Sequence, residues 1–255
     1  MTRGQAIAQL RAAGCVFAED EADVLIAAAR DDITLTAMVG RRAGGEPLEQ
    51  VVGYADFCGV RIRLRPGVFV PRVRSELLVR LGAAELRPDA VVVDLCCGSG
   101  ALGLAVRQRV PGITLHAADL DPVAVACALE NLADHGRVHR GDLFAALPAE
   151  LCGRIDLLLA NVPYVATRHI PFLPAEARDH EPRSALDGGD DGLAVFRSVA
   201  AGAARWLAPG GLLISEITEA QTAAATRAVD ENGLTATIAT DDDLDARAIV
   251  ARRQR

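Results

Sequence analysis

The hydrophobic period of the chain changes twice. Residues 3–43 carry apolar side chains at helical spacing: Ile7, Leu10 and Ala13, then Val24, Leu25, Ala28 and Ala29, then Ile33, Leu35 and Met38. Each stretch is short, so a small helical bundle leaning on a larger body is predicted. Between residues 51 and 64 the period falls to two, in Val51-Val52-Gly53-Tyr54-Ala55-Asp56-Phe57 and Val60-Arg61-Ile62-Arg63-Leu64. That pattern predicts a hairpin turning at Cys58-Gly59, with Arg61, Arg63 and Arg65 on one face and Ile62 and Leu64 on the other. Pro66-Gly67 breaks it, Val68-Phe69-Val70-Pro71 is extended, and Ser75-Glu76-Leu77-Leu78-Val79 opens a helix.

From Ala90 onward apolar runs alternate with amphipathic stretches. Strands are predicted at 90–95, 113–119, 155–160 and 210–217, with a weaker one at 136–140 and a final pair at 234–239 and 247–251. Helices are predicted at 100–109, 122–133, 191–207 and 219–230. Such alternation implies an α/β fold with a doubly wound, mostly parallel sheet, antiparallel only in its last two strands. Asp241-Asp242-Asp243 reads as a solvated turn.

Composition narrows the function. The chain has 255 residues, 51% of them hydrophobic, enough for a substantial core. A net charge of -7 argues against affinity won by neutralising duplex phosphates. Arg61, Arg63, Arg65, Arg72 and Arg74 are the one basic concentration, and a solvated face is its common meaning. The six cysteines, at 15, 58, 96, 97, 127 and 152, show no C-x-x-C spacing and no zinc-type pairing with histidine, so they are expected to be reduced and structural, and no metal is expected. No secretory leader and no run of 18 apolar residues is found, so a cytoplasmic protein with no membrane partner is expected.

Three constellations carry chemistry. The run Val91 to Leu95 ends in Asp94-Leu95-Cys96-Cys97-Gly98-Ser99-Gly100, with Gly103 completing G-x-G-x-x-G, and Asp119 follows Gly98 by 21 positions. A strand, a glycine turn, a helix and an acid after the next strand fit a dinucleotide, the acid binding ribose hydroxyls. They fit an adenosyl ligand without pyrophosphate equally. Asp94 discriminates, since a carboxylate there repels a pyrophosphate but attracts the ammonium of S-adenosylmethionine. Gly141-Asp142-Leu143-Phe144 offers either an acceptor for an adenine amino group, with Leu143 against the ring, or a helix cap. Finally Asn161-Val162-Pro163-Tyr164 ends an apolar strand, where open α/β sheets bind ligands. Asn161 supplies an amide oxygen, Val162 a main-chain carbonyl and Tyr164 a flat wall, which together suit a planar NH2 group; taken alone, the tetrapeptide favours a strand-to-loop turn by a clear margin.

Together these residues resemble class I S-adenosylmethionine-dependent methyltransferases that modify a planar nitrogen. The nearest resemblance is to the HemK/PrmC-type protein glutamine N5-methyltransferases. It extends to Val68-Phe69-Val70-Pro71-Arg72-Val73-Arg74-Ser75-Glu76, similar to that family's interdomain Pro-Arg signature, and to Glu181-Pro182-Arg183 through Gly192-Leu193, similar to its long loop. It departs at Cys96-Cys97, where the family usually has Gly-Thr, at Val162 for Pro, and at Val73 and Ser75 for Pro and Thr; its N-terminal part is also shorter. The resemblance implies a Rossmann-like methyltransferase unit at 71–255, a helical substrate-recognition unit at 1–48 and a hairpin connector at 49–70. It implies catalysis by Asn161, Val162, Pro163 and Tyr164. S-adenosylmethionine would be held by Asp94, Cys96, Cys97, Gly98, Ser99, Gly100, Asp119, Leu120, Asp142, Leu143 and Asn161, and the substrate by Phe69, Pro71, Arg72 and Glu76. The implied substrate is the Gly-Gly-Gln glutamine of a class-1 peptide-chain release factor, with no stable nucleic-acid binding and a monomer or weak oligomer. The competing readings are methylation of an exocyclic amine on a nucleic-acid base or another small planar amine, an NAD-dependent oxidoreductase, and a cofactor-binding paralogue without turnover.

Overall fold

Capping side chains stand where two of the first three helices begin. The computed structural model describes residues 1–255. Thr2 and Gln5 form a reciprocal capping box at the start of α1 (Arg3–Ala12). After α2 (Ala18–Ala28), Asp31 accepts the Thr34 N–H at 2.7 Å and opens α3 (Asp32–Ala43). The apolar positions of these helices meet in a cluster of their own, with Leu10, Leu25 and Val39 wholly buried. Val51 and Val52 differ from expectation: they close a short helix, α4 (Leu48–Val52), instead of starting the hairpin. The left-handed φ of 82° at Gly53 ends that helix, and Val51 is buried against the other N-terminal helices. The hairpin is therefore β1 (Tyr54–Phe57) and β2 (Val60–Arg63), and Ile62 is buried as its period requires.

The remaining chain winds one seven-stranded sheet. Its elements are α5 (Glu76–Glu85), β3 (Val91–Leu95), α6 (Ala101–Arg109), β4 (Thr114–Asp119), α7 (Pro122–Leu132), β5 (Arg137–Arg140) and β6 (Ile155–Ala160). They continue as α8 (Ala175–His180), α9 (Arg183–Leu186), α10 (Ala194–Trp206), β7 (Leu207–Glu216), α11 (Thr222–Asp230), β8 (Leu234–Asp241) and β9 (Ala246–Arg253). The strand order is β5-β4-β3-β6-β7-β9-β8, parallel except where β9 runs between β7 and β8. Because side chains alternate along a strand, Val92, Leu157 and Leu212 pack under the α5–α6–α7 layer while Val93, Leu158 and Leu213 pack under α10 and α11. Each such fully buried side chain contributes roughly 1.5–3 kcal/mol.

Other details of the later chain also differ from expectation. The helix expected from residue 191 begins at Ala194, because Gly188, Gly189 and Gly192 hold a tight loop just before it. The acidic run 241–243 is not wholly a solvated turn, since Asp241 ends β8 and pairs with Arg80 on α5.

Candidate active site

Three parallel strands stop level with one another. Leu95 pairs with Ala118 on one side and Ala160 on the other, so Cys96, Asp119 and Asn161 leave the sheet side by side. The order of strands reverses at β3, which is where an open α/β sheet leaves a crevice. A cavity of about 820 Å³ opens there, reaching from the glycine turn to the loop around α8 and α9.

One end of this cavity is made of main chain and carboxylates. Asp119 accepts the Gly98 N–H and the Asp121 N–H, each at 2.9 Å, which fixes the carboxylate across the mouth of the turn. Burial raises its pKa, and those two N–H groups oppose the rise. Gly98 has φ 55°, and a side chain there would meet only open space, so its backbone is left bare towards the cavity. Cys96 and Leu143 take left-handed φ values of 55° and 44° without being glycine, a strain of about 1–3 kcal/mol each that sits on the cavity wall. Burial, with Asp119, Asp94 and Asp142 nearby, pushes the Cys96 thiol up to about 12, and burial holds Cys97 well above the usual thiol value. Both therefore stay protonated and poorly nucleophilic. Asp142 makes no capping hydrogen bond to the turn that follows it and is exposed on the cavity rim, which removes the capping alternative.

The other end is made of side chains brought from distant segments. Asn161 donates its Nδ2 to Ser75 Oγ at 3.1 Å, while its buried Oδ1 has no hydrogen-bond partner. Ser75 in turn donates to Glu216 Oε2 at 2.8 Å. Glu216 Oε1 receives Arg74 Nε at 2.6 Å and the Tyr164 hydroxyl at 2.8 Å, and Arg74 also donates to Tyr164 Oη. Burial and the adjacent Glu216 raise the Tyr164 pKa, so its phenol is a donor and not a base. Gln221 holds the Tyr164 carbonyl at 2.9 Å, and the Val165–Asp187 bridge binds the long loop alongside. Gly192 is obligatory, because a Cβ there would lie 2.2 Å from the Tyr164 carbonyl oxygen. Apolar side chains complete the wall, among them Phe69, Pro71, Leu173 and Leu186.

Most of the expected residues line this cavity: Cys96, Cys97, Gly98, Ser99, Asp119, Leu120, Asp142, Leu143, Asn161 to Tyr164, Phe69, Pro71 and Arg72. Three do not. Asp94 is fully buried behind the turn, with Oδ2 accepting the Gly103 N–H at 2.9 Å, so it ties the turn to α6 and does not line the cavity where an ammonium group was expected. Its Oδ1 is buried without a partner, and burial lifts its pKa to about 7. Gly100 faces α7, where a Cβ would come within 3.0 Å of Leu132. Glu76 points away and pairs with Arg109 at 2.8 Å. Arg74, Ser75 and Gln221 were not among the expected site residues, and neither was Glu216. The available signal was a lone acid ending the apolar run Leu212-Leu213-Ile214-Ser215; the register Leu159 to Ile214 carries it to the level of Asn161.

Comparison with known proteins gives a consistent family. Residues 59–176 match the family described as "Methyltransferase small domain". A release factor glutamine methyltransferase from Streptomyces coelicolor is 38% identical over 190 residues, 72% of this chain and 67% of that protein. One from Bifidobacterium longum is 35% identical over 250 residues, 83% of this chain and 84% of that protein. Several others are spanned over only 63% to 64% of their length. A 4-amino-L-phenylalanine/4-methylamino-L-phenylalanine methyltransferase from Streptomyces pristinaespiralis is 38% identical over 70% of this chain and 63% of that protein. Among solved structures, a methyltransferase from Pyrococcus furiosus shares the fold at a TM-score of 0.59 and 14% identity, covering 77% of this chain and 90% of that one.

Proposed function

Because the chain belongs to the release factor glutamine methyltransferase family, we propose that it methylates the side-chain amide nitrogen of a glutamine in a class-1 release factor, in the cytoplasm. The observation that carries this reading is Asn161 Oδ1, a buried acceptor with nothing to accept from, on a residue that lines the cavity. Buried acceptors are seldom left unpaired, and an incoming NH2 group satisfies this one. The Val162 carbonyl, two residues beyond the end of the strand, takes the second proton of that NH2.

S-adenosylmethionine, when bound, supplies the electrophilic methyl group. The donor end fits it: Asp119 meets a ribose diol, Asp142 and Leu143 an adenine, and the bare backbone from Cys96 to Ser99 the rest. The same carboxylates oppose the pyrophosphate of NAD.

An amide nitrogen is a weak nucleophile because its lone pair is delocalised. Asn161 Oδ1 and the Val162 carbonyl hold the NH2 in one direction and strengthen their hydrogen bonds as the nitrogen gains positive charge. Pro163 and Tyr164 wall the pocket and exclude water. The proton becomes acidic once the nitrogen is alkylated and leaves to solvent, so no base is asked of Tyr164. Val162 in place of the family's Pro leaves this geometry to the main chain.

Residues 1–48 serve in this scheme as the recognition unit, 49–70 as connector and 71–255 as the transferase. Arg42 supports the coupling, since it pairs at 2.6 Å both with Glu21 and with Glu176 on the cavity rim. The amino-acid-modifying relative raises a free arylamine as a second substrate class. Against it, the arginines of the acceptor end are engaged, Arg72 with Glu181 and Arg74 with Glu216, leaving no counter-ion there for a free carboxylate. Arg61 and Arg65 are likewise paired, with Asp56 and Glu130, which weakens the nucleic-acid alternative. Intact-mass analysis of the organism's own release factors, after incubation with the protein and S-adenosylmethionine, tests the proposal. One added methyl on the glutamine-bearing peptide is expected; methyl transfer to 4-aminophenylalanine with the release factors untouched would overturn it.

A further inference from the structure

An asparagine amide has nearly the same shape either way round, yet its two orientations select opposite chemistry. With oxygen forward the pocket receives an N–H donor, and with nitrogen forward it receives an acceptor such as a carbonyl. We propose that Ser75 and Glu216 are positioning residues that lock Asn161 with its oxygen forward and thereby restrict the acceptor pocket to NH2-bearing groups; this rests on the reading of Asn161 as the group that grips the substrate.

The lock follows from counting protons. Ser75 has one hydroxyl proton, and Glu216 Oε2, 2.8 Å away, is an acceptor only, in an ion pair with Arg74. That proton is committed to Glu216. What Ser75 Oγ has left for Asn161 is a lone pair, so the amide must answer with its NH2, as the 3.1 Å Nδ2 contact has it. Oδ1 is then the end of the amide left buried and unpartnered, on a residue that lines the cavity. Reversing Asn161 would set its oxygen against the Ser75 lone pairs. Reversing the Ser75 hydroxyl instead would leave Glu216 Oε2 facing those lone pairs. Neither escape is open, because Glu216 is itself held on Oε1 by Arg74 and Tyr164. Ser75 is buried at the start of α5 and Glu216 at the end of β7, so both ends of the relay stand on rigid elements.

The full chain with Ser75→Ala, Ser75→Thr or Glu216→Gln tests this, read by methyl transfer to the release factor, by the S-adenosylmethionine dissociation constant, and by side-chain amide NMR of Asn161. Ser75→Ala is expected to lower kcat about 30–100-fold with cofactor affinity held within about 3-fold, the scale of a misplaced reacting group. Ser75→Thr keeps the hydroxyl and is expected to stay within about 5-fold of the parent on the same reasoning. Glu216→Gln offers Ser75 a donor in place of an acceptor, freeing its proton to turn towards Asn161, and is expected to lose at least as much kcat as Ser75→Ala. In the NMR spectrum the Asn161 NH2 protons exchange slowly in the parent and in Ser75→Thr, and quickly in Ser75→Ala. Unchanged exchange in Ser75→Ala, equal damage by Ser75→Thr, or parental kcat in Glu216→Gln would each overturn the lock. If the parent itself transfers no methyl while the exchange pattern follows expectation, the lock stands and the release-factor reading falls.

Discussion

The two ends of the cavity are built by different means. At the donor end the work is done by backbone: a glycine turn between Cys96 and Gly100, and Asp119 held by two main-chain N–H groups from its immediate surroundings. At the acceptor end it is done by five side chains, from residues 74, 75, 161, 164 and 216, which meet only in the folded protein. A backbone cradle is expected to tolerate exchange of side chains. A side-chain relay is not, because each member fixes the hydrogen-bond direction of the next.

That difference predicts where substitutions will be felt. The largest effect expected at the donor end is on stability and belongs to Asp94, whose carboxyl is lifted to about 7 by burial. A raised carboxyl pKa means that the fold disfavours the charged form. The stability this group contributes is full below its unfolded value near 4 and is lost as pH rises through 7. Asp94→Asn does not titrate and can still accept from Gly103. Relative to the parent without ligand it should gain stability progressively between pH 4 and pH 8, by up to about 4 kcal/mol. Denaturant melts across that range check this, and a pH-independent difference would show that Asp94 is not the strained group. A smaller effect is expected from Asp119→Asn, which loses charge-assisted hydrogen bonds worth roughly 1.5–3 kcal/mol and should weaken S-adenosylmethionine binding about 10–100-fold. Transfer at saturating cofactor should survive; calorimetry with saturation kinetics separates the two.

The same contrast explains what was legible in the sequence. The strands and helices after Ala90 are visible because buried parallel strands leave continuous apolar runs, and the donor end is visible because its parts follow one another along the chain. Asp94 was misplaced for a simple reason. Its position at a strand end is visible, but whether the side chain faces the crevice or the helix behind it depends on the turn geometry that starts at Cys96, whose left-handed φ a cysteine does not announce. Val51 and Val52 misled because alternation over three residues is too short to distinguish a strand from a helix ended by Gly53. Glu216 was invisible because its meaning lies in strand register, 141 positions from Ser75. Arg74 likewise reads as surface charge until that carboxylate is placed beside it.

The central claim is that Asn161 grips the acceptor and leaves the donor end intact. Asn161→Ala should therefore bind S-adenosylmethionine within about 3-fold of the parent while its single-turnover methyl transfer to the release factor falls about 100–1,000-fold, the cost of removing one preorganised polar group from a reacting centre. Calorimetry and single-turnover transfer on the same preparation make the comparison. Transfer at the parental rate, or a loss of cofactor affinity as large as the loss of transfer, would contradict the account.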